Sequence, residues 1–466
     1  MTNSPEKKHV AVFTFPFGSH SVPLFNLVLK LARASPNSQF SFIGTEQSNK
    51  PLFSTPHKYN IPDNVKSYCV GDGVPKGHVL CTNPVEKVNL FLQAGSENMQ
   101  KGIDLAVERT KERVTCIIAD AFVTPSLIVA QTLNVPWIAF WPALSCSLST
   151  HFYTDLIRQK CVTKNNAGSG DRALDFLPGL SKMRVEDLAD DVLNNGSDEK
   201  EEEETLFSKT LASLGRVMPQ AKAVVFNFFE ELDDPLFIED MRSKLQCVLY
   251  VGFLSLSLPL LPLPPSDTDE TGCLSWLDKQ KGKSVVYVSF GTVVTPPKHE
   301  VMAVAEALEE SGFPFLWSLK DHLIKGSLPN GFLERTNGRG KIVPWAPQAQ
   351  VLGHGSVGVF VTHCGGNSVF ESISNGVPMI GRPFFGDQGM SGRIIEDVLE
   401  IGVRVEGGVF TKSGLLKSFN LVLVGDEGKR MREKALEVKK IVVDAAGPRG
   451  KAAQDLKALV ELVSSS

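Results

Sequence analysis

The sequence has no uninterrupted block of lysine and arginine residues, and its 48 basic and 52 acidic residues give a net charge of −4. Because nucleic-acid-binding proteins usually carry a basic patch, this charge pattern argues against a nucleic acid partner. None of the 8 cysteines belongs to a C-x-x-C pair, and no zinc-type spacing of ligands is present. We therefore expect reduced thiols in a cytoplasmic protein and no bound metal.

Long apolar runs are also scarce. The longest, Val248 to Leu263, is interrupted by Pro259 and Pro262, so it cannot form a membrane-spanning helix and is predicted to be a stiff linker. The polar start MTNSPEKK lacks the apolar core of a signal peptide. No G-x-G-x-x-G follows the first predicted strand, which argues against a nicotinamide-dependent oxidoreductase. These absences predict a cytoplasmic protein without a membrane span, and we expect a monomer.

Short apolar segments of strand length alternate with helical segments along the chain. The predicted strands cover 9–15, 39–44, 114–119, 136–141, 223–229, 284–290, 313–318, 341–345, 357–362, 378–381 and 402–406. This alternation predicts α/β architecture with parallel sheets covered on both faces. Since 466 residues are too many for one core, we predict two Rossmann-like, doubly wound domains. The predicted parts are a first domain at 1–247 with an insertion at 162–213, a proline-rich linker at 248–268, a second domain at 269–446 and a C-terminal helix within 447–466.

The most informative segment begins with the apolar run Val357 to Thr362, which predicts a buried strand. The strand is followed by His363, two glycines, and then Asn367 and Ser368, which are typical N-cap residues. The unpaired N–H groups and the dipole of a helix start favour an anion, and Gly365 lets the backbone approach a ligand closely. We therefore predict a diphosphate site here, to which His363 can donate a further hydrogen bond.

Five more residues surround this predicted diphosphate site. Glu371 lies one helical turn beyond the predicted cap, within reach of ribose hydroxyls. Trp345 and Gln348 close the preceding predicted strand, where an indole can stack on a base and an amide can bond to it. Asp387 and Gln388 end the segment with a pair suited to sugar hydroxyls. The whole segment is typical of a nucleotide-sugar site.

A candidate general base lies near the start of the chain. His9 to Phe15 predicts a strand and Val22 to Ala34 a helix, so His20 lies at a strand-to-helix corner on the carboxyl edge of the sheet. A helix N-terminus disfavours imidazolium, so we expect His20 to be neutral and able to accept a proton. Asp120 follows the predicted strand 114–119 at the same edge, where it can orient His20 and stabilise its charged form.

A second phosphate element is predicted where the strand 284–290 ends in Gly291 and Thr292. Gly291 frees the backbone at the strand end, and Thr292 can offer both its hydroxyl and its amide to a phosphate. Turns of this type are frequent, so the motif indicates a phosphate only together with the site described above.

The segment from Trp345 to Gln388 resembles the signature box of plant family-1 UDP-dependent glycosyltransferases in its length and in its final Asp-Gln pair. The resemblance implies the GT-B fold, with the acceptor in the first domain, the UDP-sugar in the second, and the C-terminal helix crossing back onto the first. It implies that UDP-glucose is a co-substrate and that no cofactor or metal is needed; a final Gln, here Gln388, goes mostly with glucose. The implied donor-binding residues are Thr292, Ser318, Trp345, Ala346, Gln348, His363, Gly365, Asn367, Ser368, Glu371, Asp387 and Gln388.

Motifs along the whole chain extend the resemblance to the flavonoid 3-O-glucosyltransferase branch of this family. They are FPFGSH, IIADAF, LSTHFYTDLIR, SVVYVSFGTVVTPP, GFLERT and RPFFGDQG. The resemblance implies that His20 and Asp120 are catalytic, and a flat aromatic acceptor would pack between neighbouring rings. The predicted acceptor pocket consists of Phe15, Phe17, Ser19, His20, Phe122 and Phe385, whose rings could also be ordinary core, and the resemblance adds His151. We expect inverting transfer of glucose to the 3-hydroxyl of a flavonoid aglycone, a flavonol or an anthocyanidin.

Two positions depart from the family pattern. Gly366 stands where a Trp is usual, and Pro142 and Ala143 stand where some members have a Thr that bonds the sugar 6-hydroxyl. Several alternatives therefore stay open: transfer to another phenol or from UDP-galactose, a sugar-nucleotide epimerase of the same fold, and a UDP-sugar-binding protein without catalysis. The presence of His20 and Asp120 argues against the last, since a protein that only binds needs no base.

Overall fold

Two parallel β-sheets, one of seven strands and one of six, organise the chain. The computed structural model describes residues 7–54, 60–81, 84–161, 170–193, 204–256, 263 and 269–465. Alternate residues of the first strand pack into two different apolar cores, Ala11 and Phe13 on one face and Val10 and Val12 on the other. Both faces of the sheet are therefore covered, as expected for parallel strands made of continuous apolar runs.

The first sheet has the strand order β3-β2-β1-β4-β5-β6-β7, and the second has the order β10-β9-β8-β11-β12-β13. In each sheet the chain builds outwards on one side of its first strand and then continues on the other side. The switch points, between β1 and β4 and between β8 and β11, are where open α/β sheets bind ligands, at the carboxyl ends of the strands. The strands are β1 His9–Phe13, β2 Gln39–Thr45, β3 Val65–Val70, β4 Cys116–Asp120, β5 Trp137–Trp141, β6 Ala223–Phe226, β7 Val248–Tyr250, β8 Val285–Ser289, β9 Phe315–Ser318, β10 Gly340–Val343, β11 Val357–Thr362, β12 Met379–Gly381 and β13 Gly402–Arg404.

Helices connect the strands, and within the described ranges none is long and apolar enough to cross a membrane. The α-helices are α1 Ser21–Ala34, α2 Glu46–Phe53, α3 Pro84–Gln93, α4 Gly95–Thr110, α5 Pro125–Leu133, α6 Ser147–Phe152, α7 Thr154–Cys161, α8 Asp190–Leu193, α9 Leu206–Val217, α10 Pro235–Lys244, α11 Cys273–Leu277, α12 Lys298–Ser311, α13 Asp321–Ser327, α14 Phe332–Arg335, α15 Gln348–Gly353, α16 Gly366–Asn375, α17 Gln388–Arg393, α18 Lys412–Phe419, α19 Asp426–Ala445 and α20 Lys451–Ser465. Short 3₁₀ turns cover Val185–Asp187, Met218–Gln220, Glu230–Leu232 and Glu406–Gly408, and π-helical turns cover Ile394–Val398 and Asn420–Val424.

Each predicted strand is present, and two further strands escaped prediction. One of them, β7, forms the first residues of the segment 248–268 that was predicted to be a linker, so the first sheet extends past residue 247. Residues 257–262 and 264–268 of that segment lie outside the described residues. In the predicted insertion 162–213, the acidic stretch 194–203 also lies outside them, and the following residues begin helix α9.

The C-terminal helix α20 packs on the first sheet. Its Leu459 and Val463 are fully buried in the core that contains Val10 and Val12 of β1. At the sheet edge, the backbone N–H of Tyr250 in β7 donates a 2.9 Å hydrogen bond to Oδ2 of Asp455. Because that carboxylate is nearly completely buried, it fixes the helix against the strand.

We predict that Asp455→Ala lowers the free energy of unfolding by about 1–3 kcal/mol, the usual cost of a buried donor left without an acceptor. Asp455→Asn is the matched control, because it keeps an oxygen for the Tyr250 amide and should retain most of the stability. Urea denaturation of the three proteins measures the difference. An Asp455→Ala protein as stable as the Asn variant would contradict the role of this hydrogen bond.

Candidate active site

His20 and Asp120 meet at the carboxyl ends of the neighbouring strands β1 and β4. The parallel register pairs Phe13 with Ala119, which brings the residue after Ala119 and the loop after β1 to the same edge. Nδ1 of His20 lies 2.9 Å from Oδ2 of Asp120, and the other carboxylate oxygen accepts the backbone N–H of Phe122 at 3.0 Å. Asp120 is fully buried, whereas 21% of the His20 side chain is exposed. The carboxylate therefore selects the tautomer that donates from Nδ1 and leaves Nε2 free to accept a proton.

The pKa of His20 is shifted in the direction opposite to that expected from a helix N-terminus alone. Burial lowers the pKa of His20, but the charge and hydrogen bond of Asp120, together with the charge of Asp387, raise it above its ordinary value. The two carboxylates thus outweigh the helix end, and the neutral imidazole stays a prediction. Since Asp387 belongs to the second domain, its influence on His20 also means that the two domains face each other at this point.

Aromatic rings surround the imidazole of His20. The rings of Phe15 and Phe122 have centroids 5.0 Å from that of His20, and Phe17 packs edge-on to Phe15 at 5.0 Å. Trp141, at the end of β5, extends this wall at 5.4 Å from Phe122. The structure thus brings together the predicted aromatic acceptor residues of the first domain, with Ser19 exposed beside them. Phe385 lies on the second domain and is 55% exposed.

His151 forms the far end of the aromatic wall. Its ring packs edge-on against Trp141 at a centroid distance of 5.6 Å. Burial lowers the pKa of His151 to about 4, so the ring is neutral at physiological pH. Its Nδ1 is buried and has no hydrogen-bond partner among the residues that the structure describes. A buried polar atom left without a partner is costly, so this nitrogen is suited to a hydroxyl of a bound molecule.

Helix α16 begins two residues earlier than its side chains predicted. Gly365 is the N-cap, Gly366 is the first helical residue, and no side chain caps the helix. The prediction that Asn367 and Ser368 are cap residues is therefore wrong: they lie in the first turn, because the extended backbone of Gly365 starts the helix before them. The first-turn N–H groups have no capping acceptor, which leaves them available to an anion such as a diphosphate.

His363 is packed between two glycines at this helix start. A Cβ atom added to Gly291 would lie 2.8 Å from the imidazole ring, and one added to Gly365 would lie 2.3 Å from it. Any larger residue at either position would displace the histidine. Burial lowers the pKa of His363 to about 4, and its Nδ1 has no hydrogen-bond partner in the described part of the chain. Thr292 is exposed directly after Gly291, beside this neutral ring.

A hydrogen-bonded set of side chains lies behind the helix start. Nε2 of Gln348 donates to Oε2 of Glu371 at 2.8 Å and to Oγ of Ser368 at 2.9 Å. The hydroxyl of Tyr287, a residue that no sequence pattern singled out, donates to Oε1 of Gln348 at 3.2 Å. Burial raises the pKa of Glu371 to about 7, although the bond from Gln348 lowers it. The carboxylate is thus poised to accept hydrogen bonds from ligand hydroxyls.

Trp345 is 60% exposed, which is unusual for an indole and leaves a face open for stacking. Its neighbour Ala346 is buried and anchors the loop. Ser318 ends β9, next to β8 in the sheet, where the register pairs it with Ser289. These residues lie at the carboxyl edge of the second sheet, the edge that also carries His363.

Asp387 and Gln388 lie at the start of helix α17. Oε1 of Gln388 accepts the backbone N–H groups of Phe384 at 2.9 Å and Phe385 at 3.3 Å. These two donors identify the oxygen of the amide, so the other atom of the group is the NH₂ nitrogen. Burial raises the pKa of Asp387, while the charge of His20 and a hydrogen bond from the amide of Leu144 lower it.

Arg382 stabilises the loop that carries this pair. Its guanidinium forms two hydrogen bonds, 3.0 and 2.6 Å long, with the buried carboxylate of Glu300 and stacks 3.7 Å above the ring of Phe384. Sequence reasoning missed this support, since the two charged residues are 82 positions apart. Among the described residues, no group of three or more His, Cys, Asp or Glu side chains could hold a metal ion.

Two doubly wound domains with facing switch points make up the GT-B fold. The chain resembles the crystal structure of a UDP-glucose: anthocyanidin 3-O-glucosyltransferase in complex with UDP, with a TM-score of 0.92 and 62% identity over 99% of this chain and 100% of that one. The likeness covers both domains, so the fold class predicted from the sequence is confirmed.

Sequence comparison gives the family. The family described as UDP-glucoronosyl and UDP-glucosyl transferase matches residues 265–445. The anthocyanidin 3-O-glucosyltransferase UFGT of Vitis vinifera is 46% identical over 464 residues, covering 100% of this chain and 99% of that protein. The anthocyanidin 3-O-galactosyltransferase 3GT1 of Rhododendron delavayi is 47% identical over 467 residues, covering 99% and 98%. The chain belongs to the UDP-glucoronosyl and UDP-glucosyl transferase family.

We predict that the imidazole of His20 titrates above the ordinary value of 6.5 in the free protein, because Asp120 and Asp387 stabilise its charged form. Asp120→Asn removes one of these charges and should lower the pKa of His20. In the same titration, His151 and His363 should stay neutral down to about pH 4. NMR spectra of histidine-labelled protein follow each ring. An unchanged His20 pKa in the Asp120→Asn variant would refute the electrostatic account.

Proposed function

We propose that the protein transfers glucose from UDP-glucose to the 3-hydroxyl of a flavonoid, a flavonol or an anthocyanidin, with inversion at the anomeric carbon. The observation that carries this proposal is the His20–Asp120 pair of the first domain lying within electrostatic reach of Asp387 in the second domain. A base oriented by a carboxylate thus opens onto the end of the nucleotide-sugar site. This arrangement argues against a protein that only binds UDP-sugars.

In this proposal the second domain binds the donor. Trp345 stacks on the uracil, with Ala346 holding its loop, and Gln348 and Glu371 bind the ribose. The diphosphate lies at the start of α16, among Thr292, Ser318, His363, Gly365, Asn367 and Ser368. Support comes from the uncapped helix start and from the raised pKa of Glu371, a buried carboxyl with few partners. Asp387 and Gln388 bind the sugar hydroxyls.

The acceptor lies against the aromatic wall of Phe15, Phe17 and Phe122, with Ser19 and Phe385 at its rim. Nδ1 of His151 bonds a second hydroxyl of the acceptor. Support comes from the ring geometry, which fits a flat aromatic molecule, and from the unpaired nitrogen of His151. The names of two relatives agree with an aromatic acceptor, because both proteins are named for transfer to anthocyanidins.

The reaction is a single displacement. The acceptor oxygen attacks the anomeric carbon as the bond between that carbon and the β-phosphate oxygen breaks, and the electron pair leaves with UDP. Nε2 of His20 accepts the hydroxyl proton, and Asp120 stabilises the imidazolium that forms. The first-turn N–H groups of α16 and the neutral His363 stabilise the charge on the departing diphosphate. An acidic phenol or enol is a suitable acceptor, since it needs only a weak base.

The choice of glucose depends on Gln388 in this proposal. Two backbone amides donate to its oxygen, which leaves its NH₂ group as the part that donates to a sugar hydroxyl. Glucose and galactose differ in the direction of one hydroxyl, so a single fixed donor can separate them. One relative is named for the transfer of glucose and another for the transfer of galactose, so Gln388 is the first residue to test.

We predict that His20→Ala lowers kcat by about 10²- to 10⁴-fold, the contribution of a general base, while UDP affinity stays unchanged. His299→Ala, at an exposed histidine of the second domain, is the matched control and should keep full activity. Product formation with UDP-glucose and a panel of flavonoid aglycones measures transfer, and mass and position of attachment identify the product. Transfer by His20→Ala at the wild-type rate would remove His20 from its role.

Gln388→His should shift the ratio of kcat/KM values for UDP-glucose and UDP-galactose towards galactose by about tenfold, the effect of one hydrogen bond. An imidazole cannot accept from both backbone amides and also donate from the same position as the glutamine NH₂. Competition assays with both donors and one acceptor measure the ratio. Unchanged ratios would count against the assignment of Gln388 to the sugar.

A further inference from the structure

An ion cluster joins the first domain to the second beside the proposed sugar site. At its centre is Asp187, whose side chain is fully buried and which belongs to the 3₁₀ turn Val185–Asp187 of the first domain. Oδ2 of Asp187 accepts Nε of Arg393 at 2.8 Å, and Oδ1 accepts Nη1 of Arg404 at 2.8 Å. Both arginines belong to the second domain. Arg393 ends helix α17, which begins at Gln388.

Each arginine also has a carboxylate partner other than Asp187. Arg393 donates to Asp397 at 2.6 Å and to Glu186 at 2.9 Å, and Arg404 donates to Glu396 at 2.8 Å. Asp187 is itself fixed, because its Oδ2 accepts the backbone N–H of Arg184 at 2.8 Å. The carboxylate therefore has a single rigid position, defined by donors from both domains.

The backbones of the two domains also meet directly at this cluster. A Cβ added to Gly389, the residue after Gln388, would lie 2.5 Å from the carbonyl oxygen of Asp187. No side chain fits between them, so the position of the turn determines the position of the first turn of α17. Buried ion pairs contribute little net stability, since desolvation offsets their attraction. The cluster is therefore better explained by the geometry it imposes than by the stability it adds.

We propose that Asp187 is a positioning residue for glycosyl transfer: through Arg393, Arg404 and the contact with Gly389, it ties the acceptor domain to the helix that presents Gln388 to the sugar. This inference rests on the proposed function of Gln388. The nucleotide is bound by separate elements, the Trp345 loop and the start of α16. Weakening the link between the two domains at Asp187 should therefore reduce the affinity for UDP-glucose and the rate of sugar transfer. The affinity for UDP should stay unchanged.

Two variants test the link between the domains at Asp187 in different ways. Asp187→Asn removes the central charge, and the remaining partners of both arginines limit the cost of that change. Gly389→Ala keeps every charge and places a methyl group against the carbonyl oxygen of Asp187. Because alanine is a better helix former than glycine, the substitution does not by itself weaken helix α17. The matched control is Gly450→Ala, whose added Cβ would lie 2.0 Å from the carbonyl oxygen of Ala445, between helices α19 and α20.

We expect kcat to fall about 10- to 100-fold in both variants, as for a misplacement of about 1 Å in a transfer site. Calorimetric titration should give wild-type affinity for UDP and reduced affinity for UDP-glucose. Gly450→Ala should leave kcat and both affinities unchanged, even if its melting temperature falls. A kcat in Gly389→Ala equal to that of the control would overturn the proposal, as would equal losses of UDP and UDP-glucose affinity.

A failure of the Asp187 proposal can be distinguished from a failure of the proposed function. If the wild-type protein forms no glycoside from any flavonoid, the proposed function fails. In that case, the ratio of the affinities for UDP-glucose and UDP still shows whether Asp187 positions the sugar site. If Asp187→Asn does not fold, Gly389→Ala alone decides, because it changes no charge.

Discussion

The hydrogen bond between His20 and Asp120 is the interaction on which the rest of the site depends. It exists because β1 and β4 are parallel neighbours whose carboxyl ends meet at the switch point of the first sheet. The bond fixes the tautomer of the imidazole and leaves its second nitrogen able to accept a proton. The proposed roles of the aromatic wall, of Asp387 and of the acceptor position all depend on this nitrogen, because it is the atom proposed to accept the proton.

In the proposed donor site of the second domain, the diphosphate would lie at the start of α16 beside His363. No side chain caps this helix start, and the imidazole of His363 fits there only because Gly291 and Gly365 have no side chains. Burial lowers the pKa of His363 to about 4, so it would act as a neutral donor, which suits a leaving group that must be stabilised and then released. Glu371, in the same proposed site, is a partly buried carboxyl that accepts a hydrogen bond from one glutamine amide.

Much of the fold was predictable because buried parallel strands are continuous apolar runs, and these predicted the two sheets. The strand β3 escaped because only Val65 and Tyr68 of this edge strand are buried, and β7 because it runs into proline-rich sequence. Local sequence placed His20 and Asp120 at one edge, but it did not indicate that the pKa of His20 is raised, because Asp387 from the other domain contributes to that shift together with Asp120. The Asp187 cluster had no sequence signal, since its partner Arg393 is 206 positions away.

The central claim is that His20 and the nucleotide-sugar site act on the same pair of atoms across the cleft. A crystal structure with UDP-2-fluoroglucose and a flavonoid acceptor tests it most directly. We expect the acceptor 3-hydroxyl about 2.6–3.2 Å from Nε2 of His20, on the face of the sugar opposite the diphosphate. An acceptor hydroxyl bonded elsewhere, with His20 turned away from the anomeric carbon, would contradict the account.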